Sequence, residues 1–180
     1  MLILGIICFV IVFTIAVLIA IHLVVSGVNT FTTALSVPTP RSILPQIIDA
    51  LDLPEHGEYL EPGCGDARVL GYVLRSRPNM RAIGIENDPI ALTIARLRIH
   101  GRAQLIQGNL LHVSFERADR VFMYLSPRLM KSLESRLERE LPHGSRLVSL
   151  QFPLLGRAAT EERPLVHGKR HAQRIYIYDY

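Results

Sequence analysis

The segment Glu61-Pro62-Gly63-Cys64-Gly65-Asp66-Ala67-Arg68 sets a carboxylate ahead of two closely spaced glycines and a second carboxylate. Glycines at that spacing let a backbone turn sharply and approach a ligand without Cβ clashes. If a helix follows, its free N–H groups and dipole favour an anionic group. A dinucleotide fingerprint would put a third glycine at position 68, where Arg68 stands, so a nicotinamide or flavin cofactor is disfavoured. No Gly-Lys-Ser/Thr follows, which excludes a P-loop. What remains is acidic-x-Gly-x-Gly-x-small. Glu86 stands 21 residues beyond Gly65, where a carboxylate can accept both hydroxyls of a ribose. Asn109, in Gly108-Asn109-Leu110, can pair with an adenine edge.

Other chemistries have less support. Cys64 reads as a small loop residue presenting backbone, since no base is placed near it to make it a nucleophile. Cys8 and Cys64 lie in unlike contexts, which excludes a disulfide scaffold. His167 and His171 are four apart, but Gly168, Lys169 and Arg170 between them read as a hairpin turn, so no metal is expected. The same basic run reads as a solvated turn, and no nucleic-acid partner is expected. A net charge of +4 permits an anionic partner without requiring one.

The elements that must position these residues follow from periodicity. Thr39-Pro40 predicts an N-cap followed by Pro at the first helical position, and Ile43, Leu44, Ile47, Ile48 and Leu51 then recur at helical spacing. Glu58 to Glu61 predicts a strand, and Val69, Leu70, Val73 and Leu74 a helix after the glycine loop. A second strand is expected over Arg81 to Glu86. Asp88-Pro89 should cap a helix whose apolar stripe is Ile90, Ile94 and Leu97, ending at Gly101. Further strands are expected over Ala103 to Gln107, Arg120 to Leu125, Arg146 to Phe152 and Gln173 to Asp179. Leu129, Leu133, Leu137 and Leu141 mark a core-facing helix face. Strand and helix alternate from residue 58 to 152, which predicts an α/β fold with a doubly wound, mostly parallel Rossmann-like sheet. In such a sheet ligands bind beyond the carboxyl ends of the strands, where the glycine loop lies.

Charge divides the chain of 180 residues. All 20 basic and 16 acidic side chains lie at or after Arg41. Leu2 to Val25 is apolar apart from Gly5, Thr14 and His22, and as a helix would extend about 36 Å, enough to cross a hydrocarbon core of about 30 Å. A transmembrane anchor is therefore expected over residues 1–25, a linker over 26–40 and one catalytic or binding domain over 41–180. A cleavable signal peptide would have a charged start and a shorter apolar run. The basic domain follows the span, so a single-pass protein with a cytoplasmic domain is expected.

With these residues in place, the sequence resembles the class I S-adenosylmethionine-dependent methyltransferases. More narrowly, it resembles the membrane-anchored group related to the mitochondrial protein-lysine methyltransferases that act on the adenine nucleotide translocase and on the c ring of ATP synthase. Four matches carry the resemblance: Val37-Pro38-Thr39-Pro40, Glu61 to Arg68, Gly84-Ile85-Glu86 with Asp88-Pro89, and Tyr124-Leu125-Ser126-Pro127. It implies S-adenosylmethionine held by Thr39, Glu61, Gly63, Cys64, Gly65, Asp66, Glu86, Asn87, Asn109 and Leu110, with Asp66 facing the methionine amino group. It implies Tyr124 and Ser126 at the methyl-acceptor entrance. The sequence departs from the family at Ala67, where a glycine is usual, and at Asn109, where an Asp is usual. The carboxyl-terminal part is short, so the usual helix after the fifth strand should be reduced. The expected activity is N-methylation of a lysine in a membrane-associated protein. Transfer to a lipid or isoprenoid headgroup, or a non-catalytic membrane-bound scaffold, are the alternatives. No Asn/Asp-Pro-Pro-aromatic motif supports methylation of DNA bases.

Overall fold

The computed structural model describes residues 9–20, 37–165 and 173–180. The chain divides into two compact units, residues 1–37 and 38–180. In the first, residues 9–20 form a helix, α1, whose side chains are all exposed. Among the described residues no helix is long and apolar enough to cross a membrane. The flanking parts of the expected span and most of the expected linker lie outside the described residues.

The second unit contains a seven-stranded sheet in the order β3-β2-β1-β4-β5-β7-β6. Its strands are β1 (Glu58–Pro62), β2 (Arg81–Glu86), β3 (Gln104–Gln107), β4 (Arg120–Met123), β5 (Arg146–Leu150), β6 (Glu161–Pro164) and β7 (Arg174–Asp179). The helices are α2 (Leu44–Leu51), α3 (Arg68–Ser76), α4 (Pro89–Ile99) and α5 (Pro127–Glu140). Strands β1 to β5 pair in parallel, and β7 pairs antiparallel with both β5 and β6. Strand order reverses at β1 and β4, so the loops after these two strands open onto one crevice.

Alternation along the strands builds a core on each face. Tyr59, Ala82, Phe122, Val148, Ile175 and Ile177 pack against α2, α3 and α4. Leu60, Ile85, Val121, Met123, Leu147 and Tyr178 pack against Met130, Leu133 and Leu137 of α5. A one-residue slip of any central strand would exchange these two sets.

The structure corrects four expectations. Thr39 does not cap α2: a 3-10 turn over Arg41–Ile43 follows Pro40 with no side-chain cap. On α4 the predicted stripe faces outward, with Ile90, Ile94 and Leu97 exposed by 62, 45 and 70%, while Leu92, Ala95 and Ile99 are buried. The stripe is a second apolar face, and periodicity alone cannot tell which of two such faces packs on a sheet. Strand β4 stops at Met123, leaving Tyr124 and Leu125 in the loop beyond it. An additional edge strand, β6, pairs with β7, and its polar sequence gave no alternation to read. As expected, no helix stands between β5 and β6 among the described residues. The cap of α4 is also as expected, with Ile90 N–H donating to Asp88 Oδ1 at 2.8 Å. The turn containing His167 and His171 lies outside the described residues.

Candidate active site

Strand β1 delivers the glycine loop by handing its backbone to β2. Gly63 N–H and Cys64 N–H both donate to Ile85 O, at 2.8 and 3.0 Å. Gly63 has φ 74°, and a Cβ there would lie 2.8 Å from Leu125 Cδ2. Both facts require glycine. The same contact brings the Tyr124–Ser126 segment beside the loop, and Leu110 Cδ2 lies 3.8 Å from the same point. Cys64 is buried, and its Sγ occupies the space a side chain at Gly84 would need. Burial pushes its thiol well above its ordinary range, so it presents backbone rather than a thiolate.

Three carboxylates surround the loop in unlike states. Glu61 is buried at the end of β1 and accepts from Tyr59 Oη at 2.9 Å. Burial raises it from 4.5 to about 8, against the hydrogen bonds from Tyr59 and the Leu70 N–H in the first turn of α3. Asp66 goes the other way. Burial would raise it, but hydrogen bonds from Arg98 and Arg68 hold it below its ordinary value. Arg98 lies 2.7 Å and Arg68 3.0 Å from Asp66 Oδ2. Arg68 also donates to Thr39 O at 3.0 Å, tying the segment before α2 to the loop. Glu86, the third, ends β2 and accepts from Gly65, Asn87 and Asp88 N–H at 2.9, 2.7 and 2.8 Å.

The far side of the crevice is neutral. Asn109 lies just beyond β3 and its Oδ1 caps a 3-10 turn by accepting from Leu111 N–H at 2.9 Å. That leaves its amide N–H groups as the donors available to a ligand. Ser126 precedes α5 but makes no side-chain cap hydrogen bond. Tyr124 Oη donates to Gln151 Oε1 at 3.4 Å, and Gln173 Nε2 donates to the same oxygen at 3.1 Å. Burial raises the Tyr124 hydroxyl above 10, so it is a neutral phenol at physiological pH.

The structure thus gathers Thr39, Glu61, Gly63, Cys64, Gly65, Asp66, Glu86, Asn87 and Leu110 around one loop, with Tyr124 and Ser126 on its flank. Sequence reasoning missed Arg98, Leu125, Gln151 and Gln173. None carries a local pattern, and only Gln173, at the head of the last alternating segment, stood near a predicted boundary.

The residues present fit a cationic adenosyl ligand. A carboxylate has about four acceptor positions, and Glu86 spends three on backbone, so a ribose hydroxyl can be accepted there. Glu61 and Glu86 supply negative charge, and Gly63 keeps the approach free of side chains.

Comparison with known proteins agrees with this fit. Residues 61–161 match the family described as the ANTKMT methyltransferase domain. The chain is 26% identical to a protein-lysine N-methyltransferase of Saccharolobus islandicus, across 79% of this chain and 91% of that protein. It is 29% identical to the human lysine N-methyltransferase of the ATP synthase c ring protein, across 54% of this chain and 43% of that protein. Against the mouse adenine nucleotide translocase lysine N-methyltransferase it is 31% identical, across 68% and 53%. The chain therefore spans about half the length of these mammalian relatives. Among solved structures, an RNA methyltransferase from Salinibacter ruber in complex with S-adenosyl-L-homocysteine superposes with a TM-score of 0.72. It is 25% identical, across 79% of this chain and 93% of that one. With the family match spanning more than half of the sequence and the sheet order, glycine loop and carboxylates in agreement, the chain belongs to the ANTKMT methyltransferase domain family, and is a class I S-adenosylmethionine-dependent methyltransferase.

Proposed function

We propose that the protein N-methylates a lysine side chain of a membrane-associated protein. The observation that carries this reading is the company of the chain: its relatives of archaeal, human and mouse origin are lysine N-methyltransferases, and the archaeal match runs almost the full length of that protein. The apolar leader supports the membrane part. Residues 9–20 expose apolar side chains, and the Thr14 hydroxyl is satisfied within the helix by Val10 O at 2.8 Å, as a lipid-facing threonine must be. In this reading residues 1–25 anchor, 26–40 link, and 41–180 form a catalytic domain on the cytoplasmic side.

S-adenosylmethionine supplies a sulfonium-activated methyl group, so the protein's task is alignment. Glu86 accepts ribose hydroxyls, Asn109 donates to the adenine edge, and Leu110 packs beside the base. Thr39, Cys64, Gly65 and Asn87 line the entry, Gly63 leaves it open, and Asp66 and Glu61 face the methionine end. The acceptor amine arrives neutral beside Tyr124 and Ser126, its proton already lost to solvent. Its lone pair takes the methyl while the carbon–sulfur pair returns to sulfur. Holding donor and acceptor in line contributes about 7–11 kcal/mol. Partial burial near Tyr124 disfavours the ammonium, which lowers the lysine pKa in the productive direction.

The test is transfer of labelled methyl into membrane extracts, fractionated into protein, lipid and RNA. Label on protein, released as methyl-lysine on hydrolysis, is expected. Label confined to lipid would establish a headgroup acceptor, and label confined to RNA would align the chain with its Salinibacter structural relative.

A further inference from the structure

Four residues other than glycine have positive φ among the described residues: Asp52, Ala67, His100 and Gln151. The first three sit at helix ends, where the left-handed conformation closes or opens a helix. Gln151 does not. It follows β5 with φ 73°, a conformation that side-chain-bearing residues adopt at a cost. Several bonds hold it there. Gln151 N–H donates to Arg174 O at 2.7 Å, and Ser149 Oγ donates across the turn to Phe152 O at 2.6 Å. The antiparallel pairing of Leu150 with Ile175 brings Gln173, 22 residues away in sequence, alongside. The result is one amide oxygen receiving two donors, Gln173 Nε2 and Tyr124 Oη.

That arrangement fixes the sense of the Tyr124 hydroxyl. Its hydrogen points to Gln151, so its lone pairs are left for another donor. A neutral amine approaching the methyl group needs its lone pair aimed forward and its N–H bonds received elsewhere. Resting on the lysine-methylation reading above, we infer that Gln151 is a positioning residue that makes the Tyr124 hydroxyl an acceptor for the incoming substrate amine, with Gln173 locking the Gln151 amide in place. The 3.4 Å separation of Tyr124 and Gln151 is the loose geometry expected before the substrate enters.

Gln151→Gly is the decisive variant, because glycine suits φ 73° and the fold should be kept or gain stability. In the full-length protein it should bind S-adenosylmethionine with wild-type affinity by calorimetry and turn over about tenfold more slowly, the loss of one hydrogen bond's orientation. Tyr124→Phe should lose a similar factor, and the double variant no more than either alone. A second readout needs no turnover. The 13Cζ titration of Tyr124 should move to lower pH in Gln151→Gly, because an acceptor for the phenolic proton is gone. Wild-type turnover in Gln151→Gly, losses that multiply in the double variant, or an unmoved or raised Tyr124 titration would each overturn the assignment. Should the wild type label lipid or RNA, the lysine reading fails, while the titration and the non-additivity still decide the Tyr124–Gln151 pairing.

Discussion

A carboxyl group in the position of Glu61 is a proton reservoir. It is buried, has one phenol and one backbone N–H for partners, and feels Asp66 and Glu86 as further negative charges. The unfolded chain would ionise it near 4.5, whereas the fold holds its proton to about 8. The stability this protonated group contributes is therefore complete below about pH 4.5. It is lost as pH rises through 8, by about 1 kcal/mol per pH unit across the window. Thermal melts of the ligand-free protein should show that fall, and Glu61→Gln should flatten it. A cationic ligand favours the carboxylate, so binding S-adenosylmethionine at pH 7 should release about one proton, measurable by calorimetry in buffers of different ionisation enthalpy. No proton release, or release unaltered in Glu61→Gln, would place the cationic end of the cofactor elsewhere. Two further substitutions test the loop. Glu86→Ala should cost about tenfold to a hundredfold in cofactor affinity, from charge-assisted hydrogen bonds worth about 1.5–3 kcal/mol. Gly63→Ala should lower stability by about 1–3 kcal/mol, since its methyl meets Leu125 and its backbone resists φ 74°. A Gly63→Ala protein with unchanged melting and binding would contradict that close approach.

At the scale of elements, α4 shows how far periodicity reaches. Ile90, Ile94 and Leu97 recur as a core stripe should, and so do Leu92, Ala95 and Ile99 on the opposite face. The helix is apolar on both sides, and the choice between them was made by Asp66, whose pair with Arg98 fixes the rotation of α4 about its axis. Leu92→Ala should therefore cost about 2–5 kcal/mol, and Leu97→Ala less than about 1. Chemical denaturation of the two variants compares them directly, and equal losses would mean that the helix packs in the predicted rotation instead. The strands were more legible. Arg81 to Glu86 was read to its ends because alternation and turn residues bound it on both sides, whereas β6 was invisible because Glu161, Glu162 and Arg163 carry no apolar period. The acidic residue closing β2 was legible for the same reason. Gln151 was not, because its place depends on a strand that returns antiparallel from residue 174.

For the whole molecule, the division at residue 37 makes a separable domain the natural expectation. A fragment of residues 38–180 should be folded and bind S-adenosylmethionine, since every strand and the helices α2 to α5 lie within it. Its activity on membrane-bound acceptors should fall below that of the full chain, because tethering raises effective concentration, to roughly the millimolar range. Circular dichroism and cofactor calorimetry check the first statement, and methyl transfer to membrane extracts the second. An unrelated membrane span joined through the same residues 26–37 should restore the activity. Loss of cofactor binding in the fragment would make the first 37 residues part of the site.

Composition and spacing were enough to determine that the domain is a doubly wound sheet with its ligand loop after the first strand. Burial forces alternation and period 3.6, and a close backbone approach forces glycine, so both leave marks on local sequence. The four family matches likewise needed no coordinates. What the tertiary structure alone decided is how groups distant in sequence set one another's chemistry. Arg98 and Arg68 keep Asp66 ionised, burial keeps Glu61 protonated, and Gln173 and Gln151 turn the Tyr124 hydroxyl. Charge state and hydrogen-bond sense depend on neighbours and dielectric, and those exist only once the strands have paired.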